Sequence, residues 1–420
     1  MFIRVLLLAL LILAIDFYVF QAFRFAFRNT TEQSQKITSY VYWSFTAFSL
    51  LIIFATLIWD FQLWPKAFRT YSTAFIFVLM ISKLFVVIFL LTDDVFRVIR
   101  WAFSKIVSTP ALAANPGTDV VGKSITRSDF LVKTGLVLAS IPFVSLLWGM
   151  AKGAYDYQVK TIKLKLPNLP KAFEGYRIVQ ISDIHTGSFV DTEPLKKAVK
   201  MVNDLNPDIL FFTGDLVNNR HDEAVPHFPQ LAQLKAKHGV YSILGNHDYG
   251  DYVIWDSELE KHKNLNDLIQ SQRDLGWDIL LDEHRIIEKD GETITLIGVQ
   301  NWSTHLRFPK YGSMEKATQN IKYSNVNILL SHDPSHWNGE ILTKYPQVDL
   351  MLAGHTHGMQ FGIELPFLKW SPVQYIYKQW AGLYTQGKQY LYVNRGLGFL
   401  GYPGRVGILP EITVIELHSA

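Results

Sequence analysis

Long apolar runs are concentrated in the N-terminal third of the chain. The second run, from Ile37 to Trp59, carries no formal charge and is long enough for the ~20 residues that cross a bilayer as a helix. Soluble helices rarely continue so far without a charge, because one face must meet water. The runs predict four transmembrane helices, at approximately 5–23, 37–59, 70–92 and 134–151, in a membrane region of residues 1–152.

Other interpretations of these runs stay open. Each could be a helix buried in a protein core, above all the first and the fourth. The first run also resembles the apolar part of a signal peptide, but no small-residue cleavage site follows it, so we expect an uncleaved anchor. The lead-in to the fourth, residues 126–131, resembles a twin-arginine export signal in which Ser128 replaces the second arginine. Asp16 and Lys83 lie inside predicted spans; they could pair, but we expect each to snorkel at the membrane interface.

Basic residues in the short loops predict the orientation of the chain. Nine lie in the first and third loops: Arg24, Arg28, Lys36, Arg97, Arg100, Lys105, Lys123, Arg127 and Lys133. Three lie on the other face: Arg4, Lys66 and Arg69. We therefore expect a multi-pass protein of the cell membrane with its C-terminal domain outside the cytoplasm; one miscounted span would invert this orientation.

Residues 94–107 form a basic amphipathic pattern that predicts a helix on an anionic leaflet, or an extension of the third span. Residues 109–118 are expected to be a linker.

From residue 155 onwards, short apolar runs alternate with helical patterns such as 192–205 and 258–275. This alternation predicts an α/β domain over residues 155–420. Five runs end directly at Asp, Asn or His: 177–182, 208–213, 240–244, 326–330 and 348–353. Ligands gather at the carboxyl ends of strands in such sheets, so we expect these polar residues to converge.

The polar residues after these strands form one set of candidate metal ligands. They are Asp183 and His185, Asp215, Asn246 with His247 and Asp248, His332, and His355 with His357. One histidine after a strand is ordinarily a loop residue with its hydrogen bonds satisfied. Five strand ends that all offer only oxygen and imidazole donors are better explained as a ligand set. Such donors suit borderline or hard divalent ions such as Mn, Fe or Zn, and there are enough of them for two ions.

Composition narrows the class of protein. The 420 residues are 49% hydrophobic and only 18% charged, against roughly 25% charged in soluble domains, which argues against a wholly soluble or disordered chain. A net charge of +3 gives no reason to expect a nucleic-acid partner. The absence of cysteine excludes disulfides, cysteine-ligated zinc, iron–sulfur clusters and thiol catalysis.

The order of these motifs resembles that of the calcineurin-like metallophosphoesterases, over about residues 176–417. The tail, with Asn394–Gly398, Arg405 and residues 410–412, is similar to the bacterial membrane-associated branch of that family. The resemblance implies a four-layer αββα sandwich with a binuclear centre. One metal would take Asp183, His185 and His357, the other Asn246, His332 and His355, and Asp215 would bridge them. It also implies that His247, oriented by Asp248, protonates the leaving oxygen.

The chemistry of phosphate esters agrees with these roles. Two divalent ions offset the negative charge of the phosphate and acidify water, and an imidazole titrates near the pH at which a leaving oxygen needs its proton. Arg395 and Arg405 are candidate phosphate contacts, with surface or interstrand pairing as the alternative. The four residues 218–221 are candidates for the pocket wall. The aromatic-rich stretch 358–387 is expected to form either an apolar wall beside the metals or an ordinary packed insertion.

The sequence therefore predicts an integral-membrane, two-metal phosphoesterase. Its expected substrate is a phosphodiester or pyrophosphate, which tethering suggests is lipid-linked. Three alternatives stay open: a metal-stabilised binding or sensor module without turnover, a nucleotide-sugar-lipid pyrophosphatase with a cytoplasmic catalytic domain, and a channel or transporter with a regulatory domain.

Overall fold

The computed structural model describes residues 2–106 and 127–420, which divide into two compact units, Met1–Leu147 and Trp148–Ala420. The first unit is built from long helices: α1 (Phe2–Ala26), α2 (Glu32–Ala55), α3 (Lys66–Ile106) and most of α4 (Arg127–Ala151). All four are long and apolar enough to cross a membrane, which confirms the prediction of four membrane-spanning helices.

Helix α3 is longer than predicted. It continues through the basic amphipathic stretch to Ile106, so residues 94–106 extend the third span and do not form a separate helix. The predicted linker at 109–118 and the first residue of the twin-arginine-like lead-in lie outside the described residues.

The two charged residues inside the spans pair with each other. Lys83 Nζ lies 2.5 Å from Asp16 Oδ1, and the Asp16 side chain is fully buried. Thr46 donates to Asp16 Oδ2 at 2.5 Å, and the Tyr42 hydroxyl donates to the Asp16 carbonyl at 3.0 Å. The prediction that each charge snorkels is wrong, because both side chains find partners on neighbouring helices and need no water.

The second unit contains two six-stranded sheets and a short hairpin. The strands are β1 (Gln158–Leu166), β2 (Arg177–Ile181), β3 (Ile209–Phe212), β4 (Val240–Ser242), β5 (Trp277–Ile279), β6 (Glu283–Lys289), β7 (Glu292–Gly298), β8 (Asn327–Leu330), β9 (Leu350–Ala353), β10 (Ile363–Leu365), β11 (Leu368–Trp370), β12 (Gly382–Gln386), β13 (Gln389–Val393) and β14 (Glu411–Ser419). The first sheet has the order β1-β14-β2-β3-β4-β5 and the second β12-β13-β9-β8-β7-β6, while β10 and β11 pair alone. The five predicted strands are confirmed to within two residues at each end.

Helices cover the outer face of each sheet. They are α5 (Glu193–Asp204), α6 (Phe228–Leu231), α7 (Glu258–Asp274), α8 (Met314–Ala317), a π-helical turn (Trp337–Ile341) and α9 (Leu342–Lys344). Side chains alternate along β2, so Ile178 packs between the sheets with Leu330, whereas Val179 packs under α5 with Val199. On the second sheet, Leu329 packs against the π-helical turn. The result is the predicted four-layer αββα sandwich.

Strand direction places the candidate residues. β2, β3 and β4 run parallel in the first sheet, as do β7, β8 and β9 in the second. Their carboxyl ends therefore lie at one edge of each sheet, and the polar loops that follow them face each other across the sandwich.

Candidate metal centre

Every predicted metal ligand lies on a loop that directly follows a strand. Asp183 and His185 follow β2, Asp215 follows β3, Asn246 follows β4, His332 follows β8, and His355 and His357 follow β9. Six of these side chains belong to buried residues, and His355 is partly buried. Two groups of three ligand atoms result, each within 4.8 Å of one another: Asp183, His185 and His357, and Asp215, His332 and His355.

The two groups meet at Asp215. Its Oδ2 atom lies 3.1 Å from His332 Nε2 and 3.6 Å from His185 Nε2. Within the first group, His357 Nε2 lies 3.0 Å from His185 Nε2 and 3.3 Å from Asp183 Oδ1. Asp215 is thus positioned to reach both groups, as a shared ligand must.

The ligand loops have strained backbones. Asp183, His185, Asp215, His355 and His357 all have left-handed φ values, between 50° and 72°. Residues other than glycine rarely adopt this backbone conformation. Those that do cluster at functional sites, where the surrounding structure holds them in place. The strain supports a functional role for these loops.

Hydrogen bonds orient the second group for a cation. Tyr377 donates its proton to Asp333 at 3.0 Å, so it accepts from His355 Nε2 at 2.8 Å and leaves the His355 Nδ1 lone pair free. Asn246 donates its amide to Tyr252, which turns Asn246 Oδ1 towards the same Nδ1 at 2.7 Å. Two acceptors at this distance repel each other unless a positive charge lies beside them.

Burial and tautomer also favour metal binding. Burial lowers the pKa of His185 to about 3 and that of His355 to about 4, so both imidazoles are neutral, the form that binds metal. His332 Nδ1 donates to the Thr213 carbonyl at 2.7 Å, and its buried Nε2 lies 3.1 Å from Asp215 Oδ2. Burial alone would lower the pKa of His332, but the Asp215 carboxylate raises it to about 10, so a metal at this nitrogen would displace a proton. Two carboxylates, one amide and four imidazoles fit two divalent ions.

Asp248 does not orient His247, contrary to the prediction. Its buried carboxylate accepts from the backbone N–H groups of Gly245 and Asp215 at 2.9 Å and of Leu216 at 2.8 Å. It therefore ties the β3 and β4 loops together. The two neighbouring side chains diverge because the chain makes a 3₁₀ turn at Asn246–Tyr249.

The backbone carbonyl of Asn218 orients His247 instead. His247 Nδ1 donates to this oxygen at 2.7 Å, and the Asn218 side chain lies 3.1 Å from His185 Nδ1. Asn218 was predicted as a pocket residue, and it reaches the site. Of its neighbours, Arg220 lies over the Trp255 ring and His221 bonds to Ser271, so both are engaged elsewhere.

Both candidate arginines are buried and engaged by the protein. Arg395 pairs with Glu411 and Glu364, and Arg405 donates to the carbonyls of Arg395 and Gly398 and lies 3.1 Å from His357 Nδ1. Phosphate contact by either has no support in this geometry. We assign both to the scaffold that holds the loop after β13 against the ligand loops.

Sequence reasoning missed Tyr377 and Asp333, which support His355. Asp333 directly follows a predicted ligand, and Tyr377 lies in the aromatic stretch, but neither position indicates a contact with the other. Part of that stretch is a packed insertion, since Val373, Tyr377 and Trp380 are buried together. Its hairpin, by contrast, is exposed.

Comparisons with known proteins agree with the fold. Residues 2–154 match the family model "Probable Calcineurin-like phosphoesterase, transmembrane domain", and residues 176–359 match "Calcineurin-like phosphoesterase". A transmembrane protein with metallophosphoesterase domain from Danio rerio is 31% identical, over 67% of this chain and 62% of that protein, which is less than two thirds of its length. The metallophosphoesterase YkuE of Bacillus subtilis is 32% identical, over 65% of this chain and 90% of its own. The UDP-2,3-diacylglucosamine pyrophosphatase LpxG of Chlamydia trachomatis is 30% identical, over 55% and 81% respectively.

We predict that Gly354→Ala prevents Asp183, His185 and His357 from binding a metal ion. The added methyl carbon would lie 2.2 Å from Asp183 Oδ2 and 2.1 Å from Ser182 Oγ, so the carboxylate must move. Bound metal per chain, measured by elemental analysis of the purified protein, should fall by at least half. Gly276→Ala is the control, because its positive φ adds backbone strain that Gly354→Ala does not, while no atom lies within 4 Å of the added carbon. Equal metal loss in both variants would show that general destabilisation, and not displacement of the carboxylate, is responsible.

Proposed function

We propose a function for this chain, which belongs to the calcineurin-like phosphoesterase family. It is a membrane-anchored hydrolase that cleaves a phosphodiester or pyrophosphate bond. The observation that carries the proposal is the convergence of six donor side chains into two groups that meet at Asp215, with Asn246 Oδ1 2.7 Å from His355 Nδ1 of the second group. A single structural ion needs about four ligands, so a set of this size and composition supports a two-metal site.

In this proposal, Asp183, His185 and His357 hold one divalent ion, and Asn246, His332 and His355 hold the other. Asp215 contributes to both. When bound, the ions offset the charge of the phosphate and acidify water. Oxygen and imidazole donors suit Mn, Fe or Zn. Tyr377 and Asp333 keep His355 in the tautomer that presents its Nδ1 lone pair to the site.

We assign the leaving-group proton to His247. Its backbone N–H donates to Asp215 Oδ1 at 2.8 Å, so the residue is fixed directly beside the proposed shared ligand. Its Nδ1 donates to the Asn218 carbonyl, which leaves Nε2 as the atom that exchanges a proton with substrate. The ring is partly exposed, as a group that meets substrate must be.

Two variants separate these roles. His247→Ala should lower the Mn²⁺-dependent hydrolysis of bis-(p-nitrophenyl) phosphate by about 10²–10⁴-fold, the usual contribution of a general acid, while bound metal is retained. Asp215→Ala should lose both metal and turnover. Loss of both metals in His247→Ala would contradict the division of roles, as would full metal content in Asp215→Ala. A wild-type protein that retains metal but never turns over would favour the binding or sensor module.

An exposed hairpin beside the ligand loops supports a lipid-linked substrate. The hairpin formed by β10 and β11 begins six residues after His357, and Phe367 at its turn is 85% exposed. Leu365, Leu368 and Tyr375 are exposed around it. Apolar and aromatic side chains displayed together favour a membrane interface, and the LpxG relative acts on a diacylated sugar nucleotide by its name.

The hairpin can be tested without knowing the substrate. Because the chain has no cysteine, Phe367→Cys provides a unique site for an environment-sensitive fluorophore. In proteoliposomes we expect a blue-shifted emission that brominated lipids quench. Ile254→Cys is the matched control, since Ile254 is 94% exposed on another loop. Equal quenching at both positions, or none at 367, would contradict the membrane contact.

We further propose that the catalytic domain lies outside the cytoplasm, from the excess of basic residues in the first and third loops. The LpxG relative favours one rival, a pyrophosphatase that cleaves a sugar-nucleotide lipid from the cytoplasmic side. Leu259→Cys, on exposed α7, should react with a membrane-impermeant maleimide on intact cells, and Asn29→Cys, in the first loop, only after lysis. The reverse pattern would favour the rival.

A further inference from the structure

The loop between β7 and α8, residues 299–313, borders the candidate metal centre; we call it the rim loop. Because β7 runs parallel to β8 and β9, the rim loop leaves the second sheet at the same edge as the ligand loops. Asp282 Oδ1 accepts from the backbone N–H groups of Gln300 and Ser313, each at 3.0 Å, and so holds both ends of the loop together. The rim loop is therefore fixed to the sheet beside the site.

Two aromatic residues of the rim loop contact the ligand loops. The ring of Phe308 meets that of His355 edge to face, with 4.6 Å between the ring centres. The ring of Tyr311 stacks on Tyr249 at 3.8 Å, and Tyr249 belongs to the 3₁₀ turn that also carries His247. These contacts hold the rim loop against both the second ligand group and the proposed proton donor.

Arg307 of the rim loop is available for a ligand. It is exposed and directly precedes Phe308, with its guanidinium carbon 5.7 Å from the Phe308 ring centre. Among the residues that the structure describes, none forms a hydrogen bond or an ion pair with this guanidinium. Arg307 thus differs from Arg395 and Arg405, whose guanidinium groups are buried and already engaged.

Tyr252 shows which side of the site Arg307 faces. The Tyr252 ring lies 4.6 Å from that of His247, centre to centre, and its hydroxyl accepts from Asn246 at 2.8 Å. Burial raises the pKa of Tyr252 to about 12, and the positive charge of Arg307 opposes this rise, so the guanidinium lies within electrostatic reach of the hydroxyl. Since we assign the leaving-group proton to His247, Arg307 lies on the leaving-group side.

From this placement we propose that Arg307 binds a second phosphate joined to the leaving oxygen, so that the substrate is a pyrophosphate and not a simple phosphodiester. The inference rests on the proposed function, because it names the substrate of the same site. Only a pyrophosphate carries another negative charge directly across the leaving oxygen, and arginine forms bidentate hydrogen bonds with phosphate oxygens. Arg307 is one residue from Phe308, which touches the proposed ligand His355, so the charge that it meets must lie close to the attacked phosphorus.

The reaction balances with the residues already assigned. Water adds its oxygen to one phosphorus and gives up a proton. The bridging oxygen departs with the second phosphate, the electron pair of the broken bond and a proton from His247 Nε2. Arg307 takes part in no bond that forms or breaks; it holds the departing phosphate.

Equilibrium binding tests the role of Arg307 without turnover. Three phosphinates that cannot be hydrolysed differ in their second charge: diphenylphosphinate has none, methylenebis(phenylphosphinate) has one directly linked, and (4-carboxyphenyl)phenylphosphinate has one across a ring. In calorimetric titrations of the full-length, Mn²⁺-loaded protein, the bisphosphinate should bind at least about tenfold more tightly than either other probe, as a charged hydrogen bond provides. Arg307→Gln should weaken its binding at least about tenfold relative to diphenylphosphinate, and Arg307→Lys should retain part of the difference.

Arg273→Gln is the matched control for this series. It removes the same charge from an exposed position in the last turn of α7 and should leave the ratio of the two affinities unchanged. An equal loss in both variants would show a general effect of net charge. A carboxyphenyl probe that binds as tightly as the bisphosphinate would show that Arg307 accepts a distant anion. Either result would overturn the proposal.

Hydrolysis separates this inference from the proposed function. P¹,P²-Diphenyl pyrophosphate and p-nitrophenyl phenyl phosphate transfer the same phenylphosphoryl group to water, but their leaving groups are phenyl phosphate and nitrophenolate. The ratio of their kcat/KM values should fall at least about tenfold in Arg307→Gln and stay unchanged in Arg273→Gln. Wild-type protein that hydrolyses neither compound would contradict the proposed function. Hydrolysis of both, with a ratio that Arg307→Gln does not alter, would overturn the role of Arg307 alone.

Discussion

The site depends on the unfavourable electrostatics of buried donors held close together. His355 Nδ1 and Asn246 Oδ1 face each other as acceptors, and the Asp183 and Asp215 carboxylates are buried among the four imidazoles. Burial keeps His185 and His355 neutral, so these groups cannot relieve the repulsion by protonation at neutral pH. A divalent cation would satisfy this arrangement, and the proposed chemistry follows from these donors.

The two sheets hold the donors in place despite the strain. Left-handed residues other than glycine cost roughly 1–3 kcal/mol each, and the ligand loops contain five of them. Asp248 binds three or more backbone N–H groups of these loops, and the glycine at 354 leaves room for the Asp183 carboxylate. Asp248 therefore fixes the backbone at Asp215, whereas its neighbour His247 is oriented by the Asn218 carbonyl.

Some of this could be predicted from sequence, and some could not. Apolar runs ending at Asp, Asn or His located the strands and the donors, because burial fixes a strand and the chain direction fixes where its loop emerges. The partners of Asp248 and Arg395 were beyond such reasoning, and the pairing of Lys83 with Asp16 was only one of two alternatives. The family resemblance implied that Asp248 orients His247, and charge suggested that Arg395 meets phosphate, but the actual partners depend on how distant loops fold back. Tyr377 is the extreme case, since only the packed insertion brings it to His355.

Buried charged and polar groups are paired with each other in the described membrane helices, whereas several face each other as acceptors in the second unit. This difference indicates different roles for the two units. In the described part of the membrane unit, buried Asp16 pairs with Lys83 and also accepts hydrogen bonds from Thr46 and Tyr42, so this carboxylate needs no further cation. A transport path would need polar groups that exchange partners with water or substrate along the span, whereas these are locked into one network. In the second unit, acceptors are left facing acceptors. Hydrolytic chemistry therefore belongs to the αββα sandwich, and the locked pair of Asp16 and Lys83 argues against a transport path through the described helices.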